Sequence, residues 1–533
     1  MKWLAVLALV GACGASDPLP ATGGVSLVLD IPNGALDPKG YTTVEVVLHG
    51  PKQDINLSAN IDSNNTFKLA DINLADLEPS KLVSIEATLR NNSGAAVGYG
   101  RTAVAMEFIA GATIVVPMLR PITYISGTVS RDADGNPNTT PLHWTEAPAT
   151  FSDLSVGMSL DGRTQVGGNA VLMIAAGPAL YMVTQATSDP SGLLTGPARV
   201  MKISTVDHQV GPTLNGTMTG GVIDGAGADD GTKLVIGTTT QLFVVNTSGD
   251  TAVPLADGNF GRVALLTPDT GDPIAIAIAN RGSTIGPCPT SAELWWAPLT
   301  GGPAHRIATG GFSDIATDRG QAYYVDACKG EFGKITEASI LPLRSIPDTG
   351  PSAGTIAGKP TALAVSNDQA YIGIEHPQAG TTSPATTSLL VMSTQGSEDP
   401  RTLWIEGAQQ VLDVMDFPDV RRQLDASSVV FAHLEIGAGG DYVALTTSAH
   451  FHGASIPQVG IPDMTIDTEE LRVFDAATGG IVQRYRSWCD GIVLLDVGDI
   501  SGWECAAAAG QSAPAADSYE HHINSMTFLF GKK

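Results

Sequence analysis

Two histidine pairs are the residues whose types and spacing most directly suggest chemistry. His450 and His452 are separated by one residue, and His521 and His522 are adjacent. Imidazole nitrogens bind Zn²⁺ and Cu²⁺, so two pairs that meet on one face could form a metal site. The simpler interpretation is four separate loop side chains, since the chain has ten histidines and the sequence does not show that the pairs meet. We therefore assign no metal ligand and treat the four histidines as part of a candidate binding face.

No catalytic residue can be assigned from the sequence. It contains no His-Glu-x-x-His pair and no phosphate-binding glycine-rich loop. A pair of carboxylates for glycan cleavage cannot be chosen among 54 acidic residues without geometry. No cofactor is assigned either, and an enzymatic function is not the favoured interpretation.

The N-terminus has the features of an export signal. Lys2 precedes a short apolar segment, residues 3–10, which ends in Val10-Gly11-Ala12-Cys13. This arrangement resembles a bacterial lipoprotein signal with its lipobox. The resemblance implies a signal peptide over residues 1–12 and a lipid on Cys13. The alternative is ordinary secretion with cleavage near Ala15. The small residues and prolines that follow predict a flexible tether over residues 13–24.

The same resemblance predicts where the protein is located. Gly14, rather than aspartate, follows the cysteine, which in lipoproteins favours export to the outer membrane. We therefore expect a lipid-anchored protein of the bacterial cell envelope. The formal charge of −25 argues against a nucleic-acid-binding surface, which needs clustered lysine and arginine, and we expect no nucleic-acid partner.

The four other cysteines predict disulfide bonds in an exported protein. Once Cys13 is set apart, an even number remains, which favours two bridges. Proximity within the repeats predicts the pairs Cys288–Cys328 and Cys489–Cys505. A zinc site is the alternative, but the paired Cys-x-x-Cys spacing that it needs is absent.

A repeated strand pattern indicates the architecture that must position these residues. Residues 242–249, 294–302, 390–396 and 471–480 each form an apolar run that ends in Thr, Ser, Gln or Gly, typical of a strand followed by a hairpin turn. Residues 315–325 and 363–373 repeat a second strand–turn–strand unit, 48 positions apart. Four-stranded units at such intervals predict a β-propeller over residues 121–533.

Strand spacing sets the expected number of blades at roughly seven. Candidate third strands start near Arg199, Gln241, Leu294, Lys334, Leu389, Leu471 and Met526. The stretch Val473-Phe474-Asp475-Ala476-Ala477-Thr478-Gly479 resembles the blade motif of quinoprotein-like propellers. Gln483 stands near the place where that family usually has tryptophan. The resemblance supports the fold and does not carry the family's cofactor to this chain.

Residues 25–120 predict a separate, small β-sandwich. Six short stretches alternate apolar and polar residues: 25–31, 43–48, 55–59, 82–89, 102–108 and 113–118. Alternation means that one face of each strand is buried. The predicted fold class is therefore all-β, with an N-terminal sandwich followed by the propeller.

Loop lengths predict the working face of the propeller. If the strands of a blade are labelled a to d from the centre outwards, the b–c loops are long, at about residues 185–197, 280–291, 375–387 and 447–468. These loops emerge on one face, where binding residues usually lie. Glu375 and His376 fall in one of them, His450 and His452 fall in the longest, and His521 and His522 precede the final strand in the equivalent place. We expect a binding or scaffold lipoprotein with a protein or glycan partner. The alternative is a propeller enzyme, either a quinoprotein-like oxidoreductase or a glycan-cleaving enzyme.

The end of the chain predicts how the ring closes. Residues 525–530 match the pattern of a third strand, but only three residues follow them. A strand without its neighbour would be an association hazard. We therefore expect this strand to pair with a segment from residues 121–160.

Overall fold

The computed structural model describes most residues between 26 and 529. The following lie outside the described residues: 1–25, 31–40, 51–53, 61–81, 103–104, 108–112, 127–138, 148–161, 168, 188–193, 206–208, 250, 269–270, 281–290, 301, 350–357, 378–384, 397, 409, 411–423, 454–463, 489–524 and 530–533. The chain divides into two compact units, Met1–Arg120 and Pro121–Lys533. In the described ranges, no helix has the length and apolar character needed to cross a bilayer.

The first unit is built from strands only in its described part. They are β1 (Ser26–Asp30), β2 (Thr43–His49), β3 (Asp54–Asn60), β4 (Leu82–Arg90), β5 (Ala96–Arg101), β6 (Met106–Glu107) and β7 (Thr113–Leu119). Their hydrogen-bonded order is β1-β7-β5-β4-β2-β3, and β6 pairs with β4. Strand β1 runs parallel to β7, while β2 is antiparallel to both β3 and β4. These strands form one connected path, and the predicted sandwich of two sheets stays a prediction.

Alternating side chains build the core of this unit. In β2, Val44, Val46 and Leu48 are buried, and the residues between them are half-buried. β1, β4 and β7 add their own buried aliphatic residues to the same apolar cluster. The sequence pattern gave no sign of β5, because Gly98 and Gly100 interrupt its apolar run.

The second unit contains six sheets that are each formed by four consecutive strands, a six-blade propeller arrangement. The first three blades are β11 (Asn169–Ala176), β12 (Ala179–Thr187), β13 (Leu194–Ile203), β14 (Val210–Met218); β15 (Val222–Gly227), β16 (Lys233–Thr238), β17 (Gln241–Asn246), β18 (Ala252–Asp257); and β19 (Phe260–Leu266), β20 (Ile274–Ala279), β21 (Ala292–Pro298), β22 (His305–Gly310). The next three are β23 (Phe312–Asp318), β24 (Gln321–Asp326), β25 (Glu331–Ile335), β26 (Ile340–Ser345); β27 (Lys359–Ser366), β28 (Gln369–His376), β29 (Thr386–Ser393), β30 (Arg401–Gly407); and β31 (Leu424–Gly439), β32 (Tyr442–Gly453), β33 (Met464–Asp475), β34 (Ile481–Trp488). All pairings within these sheets are antiparallel, as in β11–β12 and β32–β33.

The two matching sequence units form equivalent hairpins. The turn between β23 and β24 has positive φ at Arg319 (43°) and Gly320 (68°). The turn between β27 and β28 has positive φ at Asn367 (52°) and Asp368 (59°). Two consecutive positive φ values match the twist of antiparallel strands and permit a two-residue connection. The predicted strand–turn–strand units are confirmed.

A further four-stranded sheet combines segments from both ends of the second unit. Its strands are β8 (Ile122–Ser126), β9 (Thr139–Glu146), β10 (Gly162–Gly167) and β35 (Ser525–Phe528). Their order is β10-β9-β8-β35, so β35 lies at one end of the sheet. The register pairs Met526 with Ile125 and Phe528 with Thr123. The prediction that the last strand pairs within residues 121–160 is therefore confirmed.

The position of β35 within its sheet was predicted wrongly. The six other predicted third strands match β13, β17, β21, β25, β29 and β33. By contrast, β35 contacts the inner strands β11 and β31, so it is an innermost strand. Its alternating pattern, Met526-x-Phe528, suits either place, because alternation reports burial of a face and not distance from the centre.

Candidate binding face and central channel

The long connections of the propeller leave the blades on one face. Because the four strands of each blade alternate in direction, the b–c connections and the connections between blades emerge at the same edge. Between the described strands, the longest intervals at this edge are 280–291, 346–358, 377–385, 408–423, 454–463 and 489–524, while others there, such as 239–240 and 258–259, are short. The a–b and c–d connections at the other edge have at most seven residues, as in 267–273 and 394–400. We call the first edge the long-loop face.

Glu375 and His376 lie at the end of β28, next to this face. The sequence placed them in a loop, but they pair with Thr387 and Thr386 of β29. Both side chains are half-buried. The hydroxyl of Thr361 donates a hydrogen bond to Glu375 Oε1 at 2.9 Å, which ties this carboxylate to β27. Their role in binding stays a prediction.

His450 and His452 also lie in a strand rather than in a loop. They belong to β32 and stand opposite Asp467 and Thr465 of β33. The loop was predicted too long because β32 and β33 extend the hairpin to 12 residues on each side. His521 and His522 lie outside the described residues. Whether the pairs meet stays a prediction, and no group of three metal-binding side chains occurs in the part of the chain that the structure describes.

Cys328 is the one cysteine within the described ranges, and it lies half-buried in the turn after β24. The Asp326 carboxylate accepts hydrogen bonds from the backbone N–H groups of Cys328 and Lys329, both at 2.9 Å. Cys13, Cys288, Cys489 and Cys505 lie outside the described residues. The two predicted disulfides and the lipidation of Cys13 therefore stay predictions.

A pocket lies at the centre of the propeller. It is small, with about 50 Å³ of space for water-sized molecules, and part of it is open to solvent. Its walls come from β11, β15, β31 and β35, with Leu265 of β19. Most of the lining is aliphatic or glycine, and the acidic side chains among the lining residues are Asp224 and Glu435.

A β-bulge that recurs in the inner strands positions four charged residues near the centre of the propeller. Each inner strand of the six blades shifts register so that one extra residue bulges out, near the strand's start in β11, β15, β19, β23 and β27 and within the second half of the longer β31. Such bulges re-aim the side chains beside them. The residue after the shift is Asp224 in β15, Arg262 in β19, Asp314 in β23 and Glu435 in β31.

The three carboxylates at these positions bind the backbone of the next inner strand. Asp224 Oδ2 accepts the N–H of Val263, and Asp314 Oδ2 accepts the N–H of Leu363, each at 2.8 Å. Glu435 Oε2 accepts the N–H of Met526 at 2.5 Å. We call these three contacts the inter-blade latches. They satisfy inner-strand donors that would otherwise be buried without a partner.

Arg262 supplies positive charge among these carboxylates. Its side chain is 13% exposed, and its Nε lies 3.4 Å from Asp314 Oδ1. Burial acts to lower the pKa of Arg262, but the nearby carboxylates of Asp314, Asp224, Glu435 and Glu375 outweigh burial and raise it. The guanidinium therefore stays charged, and the four carboxylates come from four different blades.

These channel residues were missed by the sequence analysis. A detectable signal was present, because each carboxylate interrupts a run of small or apolar residues, as in Ile223-Asp224-Gly225 and Leu434-Glu435-Ile436. Aligning the inner strands would have placed them at one position. The hydrogen bonds of the three carboxylates favour a positioning role, while the place of Asp224 and Glu435 in the pocket wall leaves these two next to any molecule bound there.

The comparisons with known proteins find distant similarity to solved structures alone. No protein-family model matches the sequence, and no curated protein matches it. Among solved structures, the β-propeller domain of the Trilobed protease from Pyrococcus furiosus has 6% identity and a TM-score of 0.37, covering 62% of this chain and 89% of that chain. Apo AztD from Citrobacter koseri has 12% identity and a TM-score of 0.30, with coverage of 68% and 94%. Putative TolB from Agrobacterium tumefaciens has 11% identity and a TM-score of 0.29, with coverage of 45% and 83%. Likeness at this level does not extend to function, and the propeller assignment rests on the strand pairing.

Proposed function

We propose that this chain is a lipid-anchored lipoprotein of the bacterial cell envelope that acts as a binding or scaffold module. The long-loop face of its propeller contacts the partner, a protein or a glycan. The observation that carries the proposal is the concentration of long connections at one edge of a rigid set of blades, where binding residues usually lie. The lipobox at Cys13 supports the anchor, with the outer membrane as its destination.

The proposal includes a finer account of the architecture. The sheet of β8, β9, β10 and β35 acts as a seventh blade, because β35 contacts the inner strands on both sides of it. The first unit acts as a small sandwich between the anchor and the propeller. The two ends of its strand path, β1–β7 and β2–β4, both contribute to one apolar cluster, which supports two layers packed on each other.

The channel carboxylates favour a second candidate, a propeller enzyme. Asp224 and Glu435 line the central pocket, and Arg262 lies near both. A glycan-cleaving enzyme needs two carboxylates, and a quinoprotein-like oxidoreductase would use the same central position. Against this candidate, both carboxylates already accept backbone N–H groups. If Asp224→Asn and Glu435→Gln abolish a measured hydrolytic or dehydrogenase activity while the protein stays folded, the enzyme is the correct assignment.

The anchor is tested by fractionating cells that express the Cys13→Ser variant. Lipidation requires the thiol, so the variant should move from the membrane to the soluble fraction, and metabolic labelling with a fatty acid should be lost. A variant that remains in the membrane fraction contradicts the lipoprotein assignment. The matched control is Ser16→Ala, which leaves the lipobox intact and should stay in the membrane.

The binding face is tested by changing one face at a time. One variant replaces residues 378–384 with a short Gly-Ser connection at the long-loop face. The control replaces residues 476–480, the turn between β33 and β34, at the opposite face. Binding to immobilised envelope fractions, separated into glycans and proteins, should fall in the first variant only. Equal loss in both variants, or loss in neither, contradicts binding through the long-loop face.

A further inference from the structure

The closing strand β35 is short and has few hydrogen-bonded partners. It comprises four residues, Ser525–Phe528, and pairs with β8 alone among the described strands. Four residue pairs hold it in register. By comparison, β31, the inner strand beside it, has 16 residues. The ring is therefore closed by its shortest inner strand.

Three apolar side chains anchor β35. Met526, Phe528 and the following Leu529 are 5%, 2% and 4% exposed, respectively. Leu529 joins the cluster that contains Ile122 and Tyr124 of β8. Burial of three large apolar side chains supplies the main attraction that holds a segment this short.

β35 docks against β8, β11 and β31, which we call its seat, and each of these strands is also hydrogen-bonded to another strand. β8 pairs with β9, and β31 pairs with β32. The backbone of β35 adds two contacts to this seat: Met526 N–H donates to Glu435 Oε2 at 2.5 Å, and Leu529 N–H donates to the Ile122 carbonyl at 3.0 Å. Gly437 leaves space for Phe528, since a Cβ at Gly437 would lie 3.2 Å from the Phe528 Cβ.

β35 also forms one wall of the central pocket. Met526, Thr527 and Phe528 line it together with residues of β11, β15 and β31. Without β35 the pocket lacks this wall. Docking of β35 and occupancy of the pocket are therefore linked, because a molecule that contacts both the seat and β35 binds the closed form better.

We propose that β35 is a separable strap: a segment that docks into a seat formed by β8, β11 and β31, and whose docking closes the ring and completes the central pocket. The seat keeps its own strand partners when the strap leaves, so the open form retains six intact blades. The interval before the strap, residues 489–524, is the longest between consecutive described strands. The inference rests on the seventh-blade arrangement proposed above and is independent of what the propeller binds.

The test separates the strap from the rest of the chain. A protease recognition sequence is inserted between Ala508 and Ala509, and the folded protein is then cut there. A second form ends at Asn524. A labelled synthetic peptide of residues 525–533 is added to both forms at up to millimolar concentration, the range of effective concentration for a tethered segment. The control peptide carries Phe528→Asp.

We expect the cut protein to exchange its own strap for the labelled peptide, and the truncated form to recover the melting temperature of the full chain when the peptide is added. Amide hydrogen exchange at 172–175 and 436 should be faster in the truncated form and slowed by the peptide. Glu435→Gln should weaken peptide binding, whereas Glu398→Gln, an exposed residue in the turn after β29, should not. Exchange of straps between full-length copies at high concentration also supports the proposal.

Two results would overturn it. One is a truncated form with the melting temperature and pocket exchange rates of the full chain, which would mean that β35 closes nothing. The other is a cut protein that neither releases its strap nor takes up the peptide over days, which would mean that β35 is an inseparable part of the core. If the truncated form does not fold, the cut protein, which folds before cleavage, decides the question.

Discussion

The Asp314 carboxylate accepts a hydrogen bond from the backbone N–H of Leu363 at 2.8 Å, across the boundary between two blades. Asp314 is 1% exposed, and its other oxygen lies 3.4 Å from Arg262 Nε in the preceding blade. One carboxylate therefore connects the inner strands of three consecutive blades. Asp224 and Glu435 make the equivalent backbone contacts two blades before and two blades after.

The first prediction concerns this latch. Asp314→Ala leaves a buried N–H group without its acceptor and removes a carboxylate beside a buried guanidinium. We expect the free energy of unfolding to fall by about 1–3 kcal/mol or more. Asp314→Asn retains an oxygen for Leu363 and should cost less. Denaturant titration measures both.

The control for this prediction is Asp257→Ala. The Asp257 side chain is exposed and accepts a hydrogen bond from Gln241, so we expect its removal to lower the free energy of unfolding by about 0–1 kcal/mol. Equal losses at the two positions would contradict the latch.

The second prediction concerns Arg472, which is 1% exposed between two blades. Its guanidinium contacts Glu406 and Glu470, donates to Thr447 Oγ1 at 2.9 Å, and stacks on the Trp404 ring at 4.5 Å. Arg472→Met leaves two carboxylates buried without a cation. We expect a loss of about 3–5 kcal/mol in the free energy of unfolding.

Two matched variants show whether burial causes that loss. Arg472→Lys should recover only part of it, because an ammonium group lacks the planar fork and the flat face that Trp404 contacts. The Arg306 side chain is 55% exposed and pairs with Glu293. Arg306→Met should therefore lower the free energy of unfolding by only about 0–1 kcal/mol. A loss at Arg472 as small as that at Arg306 would contradict the importance of burial.

Local patterns predicted strands well, because burial of one face imposes a period of two on the sequence. They also located the turn at Asp475, whose Oδ1 accepts N–H groups from Ala477 and Thr478. The order of strands from the centre outwards could not be predicted from the same period, as β35 shows.

The pairing of the buried charged residues could not be predicted from local sequence patterns, for a different reason. Arg472 follows Leu471 in a strand and looks like an ordinary solvent-exposed residue in the sequence. Its partner Glu406 lies 66 positions away, on another blade. Arg262 likewise depends on carboxylates from other blades. Their pairing depends on how the blades pack, which a single strand does not encode. The role of the long-loop face could be proposed from length alone, but the residues that bind a partner could not.

The third prediction compares two glycines with the same backbone geometry. Gly396, after β29, and Gly479, after β33, both have φ of +74°. An alanine at Gly396 would meet no atom within 4 Å, whereas at Gly479 its Cβ would lie 2.5 Å from the Leu403 carbonyl oxygen. Gly396→Ala should cost only the left-handed conformation, about 1–2 kcal/mol. Gly479→Ala should cost roughly 1–3 kcal/mol more, because the neighbouring blade must shift. Equal denaturation midpoints for the two variants would show that the backbone at Leu403 moves aside with no loss of free energy.

The fourth prediction concerns two buried tyrosines and alkaline pH. Tyr371 and Tyr323 are 5% and 3% exposed. Burial raises the pKa of Tyr371 to about 12. Burial is also the main cause that raises the pKa of Tyr323 to about 12, and the carboxylates of Asp318 and Asp368 add to it. In the unfolded chain both phenols ionise near pH 10. Absorbance at 295 nm should therefore show these phenols, and that of the buried Tyr324, whose pKa is also raised by burial, titrating well above that value in the folded protein.

The sign of the effect on stability follows from which state ionises first. Below pH 10 both phenols are neutral in both states, and their contribution is fully present. Between pH 10 and about 12 the unfolded chain loses their protons while the folded chain keeps them, so the free energy of unfolding falls as pH rises, by up to about 3 kcal/mol per tyrosine. Tyr371→Phe cannot ionise and should reduce this slope, with little change at pH 7, while Tyr323 and Tyr324, whose pKa burial also raises, maintain the rest of it. Denaturant titrations at pH 9 and pH 11 measure the slope. If the variant and the unchanged protein lose the same stability between these two pH values, Tyr371 ionises as easily in the folded protein as in the unfolded chain, and burial does not protect it.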